Sequence, residues 1–255
     1  MLRSRVIPSL LLSEGGLVKT RRFKGEVYVG DPINAVKIFN EKEVDELFLF
    51  DIHASKQRRR PDFALVESIV SEAFMPVGYG GGVRSVEDVR TLLRLGVEKV
   101  ALNTAALDDL GLVRQLSDAF GAQCVVGVID VKRDWRGRPR VHSHAGRRPS
   151  ERDPAAWMRA LVDAGAGELL LQSVDGDGTL RGLDPTVLTL SRTGVPVPVL
   201  VAGGTKDASD IAAAIQSGGP AGVVVGARFV FQGPHNAVLI SYLSESERQT
   251  IERGG

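Results

Sequence analysis

The sequence predicts an α/β fold, a closed (β/α)8 TIM barrel built from two similar half-barrels. Two observations carry this. The first is a glycine-centred pattern that occurs twice. One copy runs Val77-Gly78-Tyr79-Gly80-Gly81-Gly82, then a capped helical stretch from Ser85, then Val100-Ala101-Leu102-Asn103-Thr104-Ala105. The other runs Val199-Leu200-Val201-Ala202-Gly203-Gly204, a capped helical stretch from Asp207, and Val223-Val224-Val225-Gly226-Ala227. Self-similarity of this length signals a repeated architecture. The second is an even alternation of short apolar runs with amphipathic stretches. Continuous apolar strands separated by helices belong to a parallel sheet buried on both faces. Eight such units in 255 residues favour a closed barrel over an open doubly wound sheet.

Taken in order, strands are expected at residues 6–12, 47–51, 76–80, 99–102, 124–130, 168–172, 199–202 and 222–226. Each is a short apolar run, such as Leu47-Phe48-Leu49-Phe50-Asp51 or Val125-Val126-Gly127-Val128-Ile129-Asp130. Helices are expected between them at 32–40, 61–72, 85–95, 110–120, 154–164, 184–191, 207–216 and near 236–245. Two connections are long, 13–31 after the first strand and 131–153 after the fifth. They occupy equivalent places in the two halves, at the strand-end face where barrel active sites are built. No linker or shift of composition divides the chain, so residues 1–255 are expected to form one barrel domain.

Composition excludes several function classes. A hydrophobic content of 43% with 25% charged residues is ordinary for a globular protein. The net charge of +1 supplies no field to draw nucleic acid or a membrane. No apolar run reaches transmembrane length, and the stretch after Arg3 and Arg5 is too short for a signal peptide, which leaves the cytoplasm as the expected location. The single cysteine, Cys124, permits no internal disulfide and reads as a buried structural thiol. His142 and His144 lack the companions of a metal set, so neither a metal nor a cofactor is expected. Arg58-Arg59-Arg60 reads as a solvated loop, with a ligand or partner contact as the alternative.

Glycine after a strand lets backbone amides approach a phosphate, and the following helix N-terminus adds a favourable dipole. Gly81-Gly82 and Gly203-Gly204 are therefore candidate phosphate cradles, completed by Asn103-Thr104 and Gly226-Ala227. Plain tight turns are the alternative for either pair taken alone. Two facing cradles imply a ligand phosphorylated at both ends. Asp130 ends the fifth strand, where a carboxylate suits general acid/base work; an N-cap or a salt bridge with Lys132 is the competing reading. Asp51 ends the second strand similarly, and orients ligand or loops. Asp177, Gly178 and Thr179 form a polar turn after the sixth strand, placed to read ligand hydroxyls or phosphate. Aligning the halves sets Leu11 opposite Asp130, so the first strand offers no second carboxylate. Arg5, Glu46, Lys99 and Glu168 stand at strand starts, either as solvated charges or as a closed salt-bridge layer around the barrel axis.

Together these residues resemble the cyclase subunit of imidazole glycerol phosphate synthase, over nearly the whole chain. The markers are Arg5-Val6-Ile7-Pro8, Val18-Lys19, Gly30-Asp31-Pro32, Asp45-Glu46-Leu47, Gly80-Gly81-Gly82-Val83-Arg84-Ser85, Lys99 to Ala105, Ile129-Asp130-Val131-Lys132 and Asp177-Gly178-Thr179. The resemblance implies a heterodimer with a glutaminase docked on the strand-start face, Asp45 and Glu98 being docking residues. Ammonia released there would pass a gate of Arg5, Glu46, Lys99 and Glu168 and travel through the barrel. It also implies catalytic roles for Asp130, Lys19 and Asp51. The family pairs two aspartates, and here Leu11 replaces the first, while Ser9 stands where cysteine is usual. A paralogous branch is more similar at residues 15–20 and 28–42. That branch accompanies a glutaminase and a sugar amidotransferase in making acetamidino sugars of surface polysaccharide. Three readings follow: an ammonia-conducting subunit serving amidination of a sugar, a histidine-pathway cyclase with an altered site, or a non-catalytic phospholigand-binding activator of a glutaminase.

Overall fold

A computed structural model describes residues 5–233 and 235–253. Eight parallel strands close on themselves: β1 (Arg5–Ser13), β2 (Leu47–Asp51), β3 (Val77–Gly80), β4 (Lys99–Leu102), β5 (Val125–Arg133), β6 (Glu168–Ser173), β7 (Val199–Ala202) and β8 (Gly222–Val225). Each pairs with its sequence neighbours, and β8 pairs with β1 through Arg5 opposite Gly222 and Val6 opposite Val223. The outer ring holds α1 (Pro32–Glu41), α2 (Phe63–Val70), α3 (Val86–Arg94), α4 (Leu110–Phe120), α5 (Pro154–Asp163), α6 (Pro185–Leu190), α7 (Ala208–Gln216) and α8 (Glu245–Arg253). The chain is a (β/α)8 barrel, as its sequence predicts.

Local chemistry explains the helix starts. Asp31 accepts the Asn34 amide at 2.9 Å ahead of Pro32, and Asp153 accepts that of Ala156 at 2.9 Å ahead of Pro154. An oxygen-bearing cap followed by proline satisfies free amides and pre-sets the first helical φ. These two caps are equivalent in the two halves. After the glycine turns, Ser85 caps α3 through Asp88 and Asp207 caps α7 through Asp210. The repeat thus extends from strands to caps.

Alternation along the strands separates two cores. One face of each strand packs against the helices, with Val6, Leu10, Leu47, Leu49, Leu169 and Val201 all buried. The other face fills the lumen with Ile7, Phe48, Ala101, Val126, Val128, Leu170, Leu200, Ala202 and Val224, and Phe50 packs on that cluster.

Three segments differ from the sequence expectation. The 13–31 connection is a β-hairpin of Gly16–Arg21 and Lys24–Gly30, and its first arm pairs back onto β1. The 131–153 connection extends β5 and returns as Pro139–Ser143, then Arg148–Pro149. The helix expected near 236–245 is a short hairpin of Phe231–Gln232 with Ala237–Val238, and α8 begins only at Glu245. A reciprocal cap sets that start. Ser244 donates its amide to the Glu247 carboxylate at 2.8 Å, and the Glu247 amide returns to Ser244 Oγ at 3.4 Å. Cys124 is buried in a 3-10 turn (Ala122–Cys124) just ahead of β5 and donates to the Gly121 carbonyl.

Candidate functional site

The strand ends open into one cavity that gathers residues from every barrel strand or the loop that follows it. Gly81 and Gly82 have φ of +120° and +73°, Gly203 and Gly204 of +105° each. A Cβ at 81 would stand 2.4 Å from the Asp51 carbonyl oxygen, and one at 203 would stand 2.5 Å from that of Ser173. Both turns therefore demand glycine on conformation and on space. Asn103 and Thr104 line the cavity beside the first turn, Gly226 and Ala227 beside the second.

The two cradles differ in what their polar groups already hold. The Gly82 amide donates to Ser55 Oγ at 3.2 Å, and Thr104 Oγ1 accepts the His144 amide at 3.0 Å. The Asn103 amide is buried and makes no well-aligned hydrogen bond, although it lies close enough to the Asp130 carboxyl to favour that group's charged form; the hydroxyl oxygen of Thr205, next to Gly204, is buried without a partner. Buried polar atoms of this kind cost stability unless something satisfies them. The Thr205 hydroxyl at the second cradle is what a bound anion would satisfy. Thr205 escaped the sequence reading because Val83 stands at its place in the first half.

Asp130 lies on the cavity wall, 6% exposed. Burial, and then the nearby charge of Asp177, push its carboxyl up to about 7, against an opposing influence of Asn103. Such a carboxyl exchanges protons near neutrality, as general acid/base work requires. Asp177 is itself held by Lys19 Nζ at 2.8 Å and Thr20 Oγ1 at 3.1 Å, all three residues buried. Lys19 arrives on the first hairpin and crosses to β8, where a Cβ at Gly226 would meet its Nζ at 3.2 Å. Leu11 lines the same cavity. It pairs with Phe50 on β2 as Asp130 pairs with Gln172 on β6, so the two occupy equivalent rungs of the half-barrels.

Other expected residues stand elsewhere. Asp51 Oδ1 accepts the amides of His53 and Ala54 at 3.0 and 2.9 Å, and its Oδ2 takes Arg59 at 3.1 Å. Its carboxylate orders the loop after β2, while the residue still borders the cavity. Gly178 reaches the cavity, but the Thr179 hydroxyl turns back to the Gly176 carbonyl at 2.7 Å. The arginine run is more than a solvated loop: Arg60 binds buried Asp88 at 2.7 Å. Lys56 and Gln172 line the cavity without having been singled out. Burial, and then the charge of Arg147, lower the Lys56 pKa.

At the opposite end the four strand-start charges form a closed ring. Arg5 contacts Glu46 at 2.9 Å and also Glu168; Lys99 contacts Glu46 at 2.8 Å and Glu168 at 2.9 Å. The Lys99–Glu46 approach is a charge contact rather than an aligned hydrogen bond, since Glu46 Oε1 has no hydrogen-bond partner. Both glutamates are 4% exposed. Burial opposes the charge on Arg5, and its bonds and charge contacts with Glu168 and Glu46 outweigh that and raise its pKa. Asp45 and Glu98 directly precede Glu46 and Lys99 and are exposed on this face, which also bears Phe74, 88% exposed.

Residues 5–235 match the family model described as histidine biosynthesis protein. The chain belongs to this family. Among its relatives is a protein of Pseudomonas aeruginosa provisionally named imidazole glycerol phosphate synthase subunit hisF2. It is 48% identical over 242 residues, 95% of this chain and 96% of its own. A Vibrio vulnificus relative, provisionally named subunit hisF3, is 44% identical over 250 residues, covering 98% and 96%. Subunit HisF of Myxococcus xanthus is 41% identical over 219 residues, 86% of each chain. The family match includes both long hairpins, the charged ring and both glycine turns.

Proposed function

We propose that this barrel is the ammonia-accepting and ammonia-conducting subunit of a glutamine amidotransferase. It receives ammonia from a glutaminase docked on the strand-start face and serves the amidination of a sugar of surface polysaccharide through a sugar amidotransferase. One observation carries the reading. The four-charge ring at one end of the lumen is complete, while the acid/base pair at the other end is halved, with Leu11 facing the cavity where a carboxylate would stand. A barrel whose task is to pass ammonia on keeps the first feature and loses the need for the second. The paired glycine turns and the orphan hydroxyl of Thr205 support binding of a ligand with two phosphates.

A second reading, a histidine-pathway cyclase working with one aspartate, is favoured by Asp130. Its near-neutral pKa and its place beside the Lys19–Asp177 pair suit proton transfer. One experiment separates the two. The chain is purified with the glutaminase of its own organism and given ammonium salt and the cyclase family's nucleotide substrate. Loss of a general acid/base costs roughly 10²–10⁴-fold, so conduction alone predicts turnover at least about 10²-fold below an ordinary cyclase. Turnover within about tenfold of one would establish the second reading.

A further inference from the structure

The lumen between the charged ring and the upper cavity is closed by a layer in which Ile7, Phe48, Val126 and Leu200 are each 0% exposed. The cavity reaches down to Phe50, Ala101, Val128 and Leu170 and stops above that layer. One lane of the lumen is built unlike the rest. On its lumen side β3 carries only Gly78 and Gly80, and the rings of Phe48 and Phe50 from β2 occupy the space their side chains would take. A Cβ at 78 would stand 2.4 Å from Phe48 Cε1, and one at 80 would stand 2.9 Å from Phe50 Cδ1. The two rings stack with centroids 5.6 Å apart and planes 8° from parallel.

We propose that Phe48 is a movable stopper in the ammonia path, seated on Gly78 and stacked under Phe50. The proposal rests on the conduction reading and adds where, and by which residue, the path is closed. A neutral molecule that has passed the charges meets the sealed layer next. Along the β2–β3 lane, rotating Phe48 uncovers bare glycine backbone, which has no side chain to refill the space. Beyond it Phe50, which stacks on Phe48, borders the cavity. Displacing an aliphatic neighbour instead opens onto other packed side chains. Glu46, a member of the ring, lies two residues before Phe48 and faces the same lumen, so a shift of the ring under a docked partner is transmitted directly to the strand that carries the stopper.

The test replaces Phe48 with 4-fluorophenylalanine, a near-isosteric change that preserves the fold. Fluorine NMR is recorded for the chain alone, with its glutaminase, and with glutaminase plus glutamine; light scattering verifies the complex. The same label at Phe39, buried outside the lumen, is the control. A stopper gives one resonance in the free chain and a second or exchange-broadened resonance in the glutamine-loaded complex, with Phe39 unchanged. A position-48 resonance that stays single and unshifted in a verified complex overturns the proposal and makes Phe48 a core filler. Because no ammonia transfer is read, that failure leaves conduction standing. Absence of any complex overturns the conduction reading and the stopper with it.

Discussion

Leu11 and Asp130 share one geometry and differ only in chemistry. Leu11→Asp restores a carboxylate to the first-half rung and is expected to raise ammonium-dependent cyclisation by about 10²-fold or more, read as product formed from the cyclase nucleotide. An unchanged rate would show that the missing carboxylate is not what limits the site. Asp130 makes a separate prediction about stability. Its folded pKa of about 7 lies above the ordinary 3.8, so the folded state holds the proton more tightly than the unfolded state. The stability that Asp130 contributes therefore falls as pH rises from about 4 to about 7, and levels off above. Asp130→Asn lacks this penalty. Relative to wild type it should gain about 4 kcal/mol between pH 4 and pH 8, since each pH unit between the unfolded and folded values contributes roughly 1.4 kcal/mol; denaturant melts at the two pH values measure it. A gain that is absent, or larger at pH 4, would show that the Asp130 carboxyl is not held above its ordinary range. Asp130 was legible in the sequence because a carboxylate closing an apolar strand is conspicuous. Thr205, Gln172 and Lys56 were not, since an isolated polar residue carries no periodicity.

The glycine turns were legible as elements because each pairs a strand end with a helix cap. Testing them by bulky substitution is unsafe: a Cβ at Gly204 would stand 2.2 Å from the Gly182 carbonyl oxygen, and one at Gly82 would stand 2.6 Å from that of Arg59. Thr205→Val keeps the shape and removes only the orphan hydroxyl. A hydrogen bond to a charged group contributes about 1.5–3 kcal/mol, so binding of a sugar bisphosphate should weaken by roughly 10- to 100-fold in calorimetry. Unaltered affinity would place the phosphate elsewhere. The charged ring responds as a unit. Lys99→Ala leaves Glu46 and Glu168, both buried, with Arg5 alone, and should cost about 3 kcal/mol in a denaturant melt. A cost under about 0.5 kcal/mol would mark the charges as a solvated rim. The two long hairpins were read as loops for a physical reason. At the first tip Arg22 and Phe23 take positive φ, +53° and +59°. That is the turn geometry usually announced by Asn-Gly, and neither residue announces it. Contacts with distant loops hold it instead, including the Arg22 amide on the Asp177 carbonyl at 2.8 Å. The late start of α8 had a visible signal, the Ser244 to Glu247 spacing of a reciprocal cap, behind β-branched residues unsuited to a helix.

At the scale of the whole molecule the two halves keep the same strands, caps and glycine turns and have diverged in what they hold. The first half carries Leu11 where the second carries Asp130, and its cradle is partly filled by Ser55 and His144, whereas the second has an orphan hydroxyl. The half-barrel repeat was legible because it constrains spacing, whereas the meeting of Lys19, Asp177 and Asp130 in one buried cluster depends on loops crossing the barrel mouth, which spacing does not encode. The most direct test of conduction follows the nitrogen itself. Chain, glutaminase and sugar amidotransferase are combined with glutamine labelled with ¹⁵N in its amide and an excess of unlabelled ammonium, and the isotope in the amidino product is read by mass spectrometry. Conduction through the barrel predicts product rich in ¹⁵N for the wild type and diluted toward the bulk for Lys99→Ala, with glutamate release continuing in both. Product at the bulk isotope ratio in the wild type, or equal enrichment in the two, would contradict it.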